Sequence, residues 1–333
     1  MMQRASGGTL TVTNPTRSLS TVVVREARPD DHAALLLLEG SAPHAGAALI
    51  QARSNFFART AAYPSSRVLV AAEGDTLLGV ACVALGAVRV GGKPCDAGYI
   101  FNVRVDPERQ ARGIGPLLMD AASRWIEERG GHYLTGLIKT SNTPSMKMVT
   151  RLGWETVDRY DYLVLDLERF APSSDAEIRR TSVWEDPGVA ASRMETVFLQ
   201  NFVPQHLDRE LFAPAPRGGY AGSVQAEVSD GAAWVSLWDD RRRRGLDPRR
   251  FHAVKGFDVS LEGPGGFRAF SAIASSLLDD GFEQLLLPLR LTQDTRALLA
   301  PFTQDTIAFN FMVNRMNGAD PVPPGPIYFD IRH

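Results

Sequence analysis

The sequence predicts a mixed α/β fold in which a mostly antiparallel sheet is flanked by helices, and it predicts that this arrangement occurs twice. The chain has 333 residues, more than one hydrophobic core usually serves, so two domains are expected. Strand-like and helix-like segments alternate from residue 21 to residue 167 in the order β-α-α-β-β-β-α-β-α-β-β. Part of that order returns after a stretch rich in proline and serine at 170–175.

Composition excludes several classes of protein. Basic and acidic residues number 36 and 38, so no overall field favours nucleic acid or an anionic membrane as a partner. The apolar runs are too short to span a bilayer. Cys82 and Cys95 form no CxxC pair, which predicts neither a disulfide framework nor a metal site and favours a reducing, cytoplasmic location.

The first elements follow from local patterns. Residues 1–20 are rich in Ser, Thr and Arg and predict a disordered tail before a first domain at 21–169. The β-branched residues of 21–24 predict a strand, and Pro29 followed by two acidic residues predicts a helix start. A second helix is expected at 45–59.

Alternation and turn signals predict the remaining elements of this half. Gly74 and Asp75 separate two apolar strands, which indicates a hairpin, and helical apolar spacing after residue 116 ends at Gly130 and Gly131. The expected elements are strands at 68–72, 77–90 and 97–105, a helix at 116–129, a strand at 133–138, a helix at 142–152, and two closing strands at 154–157 and 160–167.

The second half, expected at 176–333, reads as a degenerate copy of the first. A hairpin around Asp230 and Gly231, a strand at 251–261, a helix at 267–278 and a strand at 284–289 are expected. A shift of 151 residues places Gly130 on Gly281 and aligns the preceding loops, which favours duplication over an unrelated domain.

The loop QARGIG at 110–115 connects a predicted strand to a predicted helix. Backbone N–H groups at such a junction, with the positive end of the helix dipole, bind anions well. The spacing does not fit the P-loop GxxxxGK[ST], and a GxGxxG loop would need glycine where Leu118 stands. A glycine-rich turn without a ligand is the simpler alternative.

The pattern Gln110-x-x-Gly113-x-Gly115 resembles the pyrophosphate loop of the GNAT superfamily of acyl-CoA N-acyltransferases. The segment NTPSMKMVTRLGW at 142–154 is similar to a second motif of that superfamily at the correct separation, and the resemblance covers 22–167. It implies a V-shaped gap between the fourth and fifth strands of this half, where acetyl-CoA lies as co-substrate.

The resemblance also implies the residues that hold the co-substrate. The N–H of Val103 would face the thioester carbonyl and stabilise the developing oxyanion. Arg112 and Asn142 have alternatives, as a solvated surface residue and as a helix N-cap. The implied cofactor-binding residues are Val103, Arg104, Val105, Gln110, Ala111, Arg112, Gly113, Ile114, Gly115, Asn142 and Ser145.

The general acid and base are not assigned by the resemblance. Val149 stands where relatives often place a tyrosine that protonates the departing thiolate. Core packing or substrate lining is the favoured role of Tyr160 and Tyr162. The strand at 97–105 carries no carboxylate. The candidates for a base, acting directly or through water, are Glu39, His44, Asp96, Tyr99 and Asn102.

The second copy lacks the chemistry of the first loop. In the aligned sequence LEGPGG at 261–266, Pro264 replaces Gly113 and removes an N–H donor. Gln293 and Arg296 stand in place of Asn142 and Ser145. This half is therefore expected to bind no acetyl-CoA and to cover the acceptor end of the site, to form a homodimer, or both.

The sequence thus predicts an acetyl-CoA-dependent N-acetyltransferase that transfers the acetyl group directly to a primary amine of a small molecule. Modification of an antibiotic or another natural product, or self-resistance, would suit this layout. The alternatives are a catalytically silent sensor or scaffold that binds acyl-CoA, and an acetyltransferase acting on proteins. The arginine run 241–244 is interpreted as a solvated turn.

Overall fold

A computed structural model describes residues 10–12, 22–41, 55–63, 65–172, 175–181, 202–204, 220–239, 252–288 and 293–323. The elements of the first half are β1 (Leu10–Val12), β2 (Val22–Glu26), α1 (His32–Ser41), β3 (Ser65–Glu73), β4 (Thr76–Val90), β5 (Lys93–Val105), α2 (Ile114–Glu127), β6 (Tyr133–Lys139), α3 (Thr143–Arg151) and β7 (Glu155–Asp166). Those of the second half are β8 (Glu177–Thr181), β9 (Phe202–Pro204), β10 (Tyr220–Val228), β11 (Gly231–Trp238), β12 (Ala253–Glu262), α4 (Gly266–Asp279), β13 (Gln284–Pro288), α5 (Gln293–Leu299) and β14 (Thr303–Arg315).

The described strands form a single sheet. Its order is β1-β2-β3-β4-β5-β6-β14-β7-β13-β12-β11-β10-β8, and β9 pairs with β4 outside this path. Only the pairs β5–β6 and β12–β13 are parallel among these strands. The predicted mixed fold, mostly antiparallel and flanked by helices, is therefore confirmed.

Helices cover both faces of the sheet, and strand alternation separates the two cores. On the α2 face, α2 and α3 pack on residues such as Leu69, Ile100 and Met312. On the α1 face, α1 packs on the alternate residues of the same strands, such as Val70 and Phe101. Each central strand is therefore buried on both sides.

The two halves share their central strands. β14, from the end of the chain, lies between β6 and β7, and β7 in turn pairs with β13 of the second half. Phe311 of β14 packs with Val88, Ala97 and Tyr133 of the first half. The Pro/Ser stretch at 170–175 connects the halves in sequence, but the hydrogen-bonded sheet runs across both.

Three expectations about the first half need correction. Leu10–Val12 of the expected tail form β1 and pair with Val22–Val24. The two expected closing strands form one continuous strand, β7, because β14 pairs with it from Glu155 to Leu165. β7 has one extra residue near Val157, and this bulge does not interrupt the pairing. The expected helix at 45–59 is replaced, over its described part, by 3-10 turns at Phe56–Ala58 and Thr60–Ala62.

The second half repeats the element order of the first. β12, α4, β13, α5 and β14 follow one another as β5, α2, β6, α3 and β7 do, and β13 begins 151 residues after β6. The aligned loops differ, because Leu261 and Glu262 belong to β12 and only residues 263–265 separate β12 from α4. The arginine run 241–244 lies outside the described residues.

Replacing Phe311 by alanine should destabilise both halves together. The side chain is 2% exposed, and its removal leaves a cavity between β14 and the first half, which costs about 3–5 kcal/mol. Urea unfolding followed by circular dichroism measures the loss, with the exposed Thr306→Ala on the same strand as control. Two separate transitions, of which only one moves, would contradict a shared sheet.

Candidate active site

A gap opens in the sheet between β5 and β6. The two strands pair in parallel from Ala97 and Tyr133 to Ile100 and Gly136. Beyond that point β5 continues to Val105 and β6 to Lys139 without further pairing to each other. The fourth and fifth strands of the sequence analysis are β5 and β6, so the implied V-shaped gap is present in the structure.

A bulge in β5 lies at the vertex of this gap. Phe101 pairs with Cys82 and Arg104 with Val80, so β5 carries one residue more than β4 between these pairs. Asn102, inside the bulge, has φ 52°, in the left-handed region that asparagine tolerates better than most residues. A bulge bends its strand and increases its twist, which directs β5 away from β6.

The open edge of β5 presents backbone groups to the gap. Asp106 N–H donates to Leu78 O of β4 at 2.9 Å, and successive peptide groups of a strand face opposite sides. The peptide groups of Val103 and Val105 therefore face the gap, while both side chains pack on the α2 face. This edge can bind an extended chain that carries amide groups.

The loop after β5 is shaped by two residues with positive φ. The Asp106 carboxylate accepts a bond from Glu108 N–H at 3.0 Å and caps a short 3-10 turn. Ala111 then has φ 60°, and Gly113, the N-cap of α2, has φ 84°. Backbone N–H groups at 113–115 precede the first intrahelical bond, so this turn can bind an anion.

The two glycines of the loop have different structural roles. A Cβ at Gly113 would meet no atom within 4 Å, so glycine is favoured there by its backbone conformation alone. A Cβ at Gly115 would lie 2.8 Å from Met148 Sδ, because the first turn of α2 packs on α3. Ile114 between them is buried and anchors the helix in the core.

Polar side chains around the loop are exposed. Arg112 is on the surface, and Gln110 Nε2 lies 3.5 Å from Val105 O. Asn142 Oδ1 accepts a bond from Ser145 N–H at 3.2 Å, so the expected N-cap role is present. Val149 is 2% exposed within the core under α3, so this position supplies no proton donor.

A group that sequence reasoning missed lies on the α1 face at the vertex. Arg59 is only 8% exposed. Its Nη1 donates to Asn102 Oδ1 at 3.1 Å, its Nη2 to Tyr99 OH at 3.5 Å, and its Cζ lies 4.4 Å from the centre of the Phe101 ring. No local motif marks Arg59, because its partners lie about forty residues away on β5.

The open end of the gap is positively charged on the same face. The pKa of Arg104 is lowered, mainly because the side chain is buried. The charge of Glu39 on α1 opposes this shift, and the charge of Arg59 adds to it. The pKa of Lys139 on β6 is also lowered, mainly by burial. The charge of Asp305 opposes this shift, and the charge of Arg104 adds to it. The charge of Glu39, one of the base candidates, therefore acts on Arg104 at this end of the gap.

The other base candidates are less well placed. Asp96 lies six residues before Asn102 on an extended strand, about 20 Å from the bulge, too far to act there. Asn102 carries no basic atom, since an amide nitrogen is a donor. Tyr99 OH accepts from Arg59, and His44 lies outside the described residues.

Two tyrosines near the end of the first half were expected to pack in the core or to line the substrate site. Tyr162 is 5% exposed and packs on Phe309 with ring centres 5.4 Å apart, so its packing role is present. Tyr160 lies on β7, and its side chain is outside the described residues. Neither tyrosine is assigned a chemical role.

The second half closes the position that corresponds to the loop. Gly265 N–H donates to Asp230 O at 3.2 Å, and the Asp230 carboxylate binds Arg268 on α4. A Cβ at Gly265 would overlap Asp230 Oδ1 at 2.1 Å. The β10–β11 turn therefore occupies the space in front of α4, where the first half has an open loop.

The fold and the gap are those of a GNAT-type domain, and comparison with known proteins supports this. Residues 37–154 match the model of the Acetyltransferase (GNAT) family. This part of the chain is a GNAT acetyltransferase domain.

A curated relative and two solved structures are similar to the chain. Mycothiol acetyltransferase of Saccharomonospora viridis is 34% identical over 70 residues, which are 21% of this chain and 22% of the relative. The glucosamine N-acetyltransferase region of a fungal β-N-acetylglucosaminidase has TM-score 0.59 and 14% identity, over 89% of this chain and 38% of that one.

The second solved structure is N-myristoyltransferase of Saccharomyces cerevisiae, with bound myristoyl-CoA. It has TM-score 0.57 and 10% identity, over 91% of this chain and 80% of that one. At these identities the structures show a common fold. The match spans about a fifth of the curated relative and about two fifths of the fungal chain.

Replacing Gly113 by alanine should weaken acyl-CoA binding more than replacing Gly115. A Cβ in the left-handed conformation costs about 1–2 kcal/mol, whereas alanine at Gly115 requires only a shift of the flexible Met148 side chain. Calorimetric titration with acetyl-CoA and thermal unfolding measure both effects. Unchanged affinity in Gly113→Ala would show that the loop conformation does not serve the ligand.

Proposed function

We propose that the protein is an acetyl-CoA-dependent N-acetyltransferase acting on a primary amine of a small molecule. The observation that carries this proposal is the gap between β5 and β6, with the loop that leads into the N-terminus of α2 at its open end. The family match of residues 37–154 supports acyl transfer. The match to an acetyltransferase family and to a mycothiol acetyltransferase favours acetyl as the group transferred.

The donor would lie along the open edge of β5. Its pantetheine amides would bond the backbone of Val103 and Val105, and its pyrophosphate would bind the N–H groups of 110–115, with Arg112 adding charge. Pro116 supplies no N–H there. Asn142 caps α3 by accepting a bond from Ser145 N–H, and it would support the pantetheine arm or this helix.

The reaction would be a direct attack in a ternary complex. The amine nitrogen bonds to the thioester carbon, the oxyanion accepts a bond from Val103 N–H, and the C–S bond then breaks. The α2 face is occupied by the loop and helices that hold the donor, so the amine would approach from the α1 face. The departing thiolate is a modest base that water can protonate.

The amine must lose a proton to act as a nucleophile. We assign this step to Glu39, acting through water, because the charge of Glu39 raises the pKa of Arg104 at the open end of the gap. Asp96 is too distant for this role, and Asn102 has no basic atom.

Replacing Glu39 by glutamine should lower kcat about 10²-fold or more while the affinity for acetyl-CoA stays the same. Steady-state thiol release and calorimetric titration measure the two quantities. Glu127→Gln, an exposed change on α2, is the matched control. Equal activity in wild type and Glu39→Gln would remove Glu39 from the mechanism.

Release of CoA thiol with a panel of small amines tests the function itself. Turnover with at least one amine is expected. Tight acetyl-CoA binding without turnover would favour a silent sensor, for which the buried Val149 in place of an acid is the supporting observation. Turnover only with peptides would favour a protein acetyltransferase.

We infer that the second half is a degenerate copy of the first and binds no acetyl-CoA. The shortened loop, the Asp230 carbonyl and the Asp230–Arg268 pair support this. It would instead complete the sheet through β14 and cover the acceptor or form a homodimer. A cytoplasmic location likewise stays a prediction.

Calorimetric titration should find one acetyl-CoA per chain. Among the described residues, only the first half combines an open gap with a loop whose N–H groups would face phosphates. Asp230→Ala, which removes the carboxylate in front of α4, should not add a second site, because residues 263–265 are too short to form the loop. A stoichiometry of two would contradict the degenerate copy.

A further inference from the structure

The bulge at the vertex of the gap has an unusual backbone conformation. Among the described residues, three that are not glycine have positive φ, and of these only Asn102 lies inside a strand. Such a conformation persists in a strand only where other contacts hold it, and strained backbone of this kind is frequent at active sites. The contacts that hold Asn102 therefore matter for the chemistry of the gap.

Arg59 makes a side-chain contact that holds the bulge. Its Nη1 donates to Asn102 Oδ1 at 3.1 Å, and its Nη2 lies 3.5 Å from Tyr99 OH. Its Cζ lies 4.4 Å from the centre of the Phe101 ring. A planar guanidinium that meets three groups of one short segment, 99–102, favours a single conformation of that segment.

Arg59 is itself attached to the sheet by its own part of the chain. It lies between two 3-10 turns, Phe56–Ala58 and Thr60–Ala62, and its side chain is buried. The Ser66 hydroxyl on β3 donates to Thr60 O at 2.9 Å, which ties the second turn to the sheet. The arginine is therefore fixed before any ligand binds, as a rigid support of an active site requires.

The bulge determines the direction of the next N–H group. Val103 follows Asn102 directly, so the backbone angles of Asn102 set the plane of the peptide group that carries Val103 N–H. With φ of Asn102 at 52°, this N–H faces the gap, where the thioester carbonyl of the donor would lie. A donor stabilises an oxyanion best when its direction is fixed before the reaction, because no reorganisation is then needed.

We propose that Arg59 is a positioning residue of the transfer reaction: its bond to Asn102 Oδ1 keeps the bulge of β5 in the conformation that directs Val103 N–H at the thioester carbonyl. The inference rests on the proposed acetyltransferase function and adds a residue from outside the strand that carries the N–H. In this role the guanidinium touches neither the donor nor the acceptor and acts through Asn102.

The carbonyl stretch of bound acetyl-CoA tests the inference without an acceptor. Infrared difference spectra with and without an isotope label at the carbonyl carbon identify this band. A hydrogen bond to the oxygen weakens the C=O bond, so an N–H directed at the carbonyl lowers the stretching frequency. In wild type we expect the band to lie below that of free acetyl-CoA.

Variants of Arg59 connect the band to this side chain. Arg59→Gln should lose most of the shift and lower kcat about tenfold or more, because Val103 N–H is no longer held toward the developing oxyanion. KM and the affinity for acetyl-CoA should stay within about twofold of wild type, since the interaction is made mainly in the transition state. Arg59→Lys can still donate to Asn102 Oδ1 and should retain part of the shift and of kcat.

Arg129→Gln is the matched control. Arg129 Cζ lies 4.5 Å from the centre of the Trp125 ring, and Arg129 Nη1 donates to Trp125 O at 3.0 Å, so this arginine also combines a ring contact with a hydrogen bond. It follows the C-terminal end of α2, whereas the gap lies at the N-terminal end. The variant should keep the carbonyl shift and kcat even where thermal unfolding shows a loss of stability.

A double-mutant cycle shows whether Arg59 acts through the bulge. Asn102→Gly removes the side chain that Arg59 holds, while glycine still adopts positive φ. This variant should by itself lose part of the shift, and it decides the inference if Arg59→Gln does not fold. In the Asn102→Gly background, Arg59→Gln should have little further effect on kcat, because the contact is already absent. An equal loss of kcat in both backgrounds would contradict the inference.

Three other results would overturn it. A wild-type band equal to that of free acetyl-CoA would show that no N–H is directed at the carbonyl. An unchanged band in Arg59→Gln would reduce Arg59 to a packing residue on Phe101, and a parallel loss of acetyl-CoA affinity would assign it to donor binding.

Failure of transfer with every amine would count against the proposed function rather than this inference. The carbonyl band still decides the inference in that case, because it is measured without an acceptor. A shift that is present in wild type and lost in Arg59→Gln supports the inference, and a shift that survives in Arg59→Gln overturns it.

Discussion

The site depends on one interruption in the sheet, the end of pairing between β5 and β6 after Ile100 and Gly136. Unpaired backbone groups inside a protein are costly, so the open edges persist only where other contacts hold the strands apart. The bulge at Asn102 bends β5, and β4 on its other side keeps it in register. The gap is therefore a rigid feature that a ligand with its own amide groups can complete.

The gap depends on both halves of the chain, because β14 of the second half lies between β6 and β7. β14 pairs with β6 on the side opposite to the gap, so the second half supports one of its two walls. Asn310 of β14 also donates to Met146 Sδ on α3 at 3.4 Å, beneath the helix that Asn142 caps. The second half, which has no open loop, thus supports the gap through the packing and hydrogen bonds of β14.

Local patterns predicted most of the elements of the first half and the loop that joins β5 to α2. The bounds of α2, β6 and α3 agree with the expected ones to within about two residues, because turn glycines and apolar spacing are encoded locally. The closing strand was divided in two at a polar stretch, although β14 pairs with it continuously. Arg59 was missed because its partners are distant in sequence and no motif connects them.

The sequence by itself determined the elements from β3 to α3, the loop Gln110–Gly115 and the capping residue Asn142, because each follows from neighbouring residues. Only the tertiary structure decided that β14 inserts between β6 and β7, that Gly115 packs against Met148, and that Arg59 contacts Asn102 on the α1 face. Those contacts join residues far apart in the chain, and only the shared sheet brings them together.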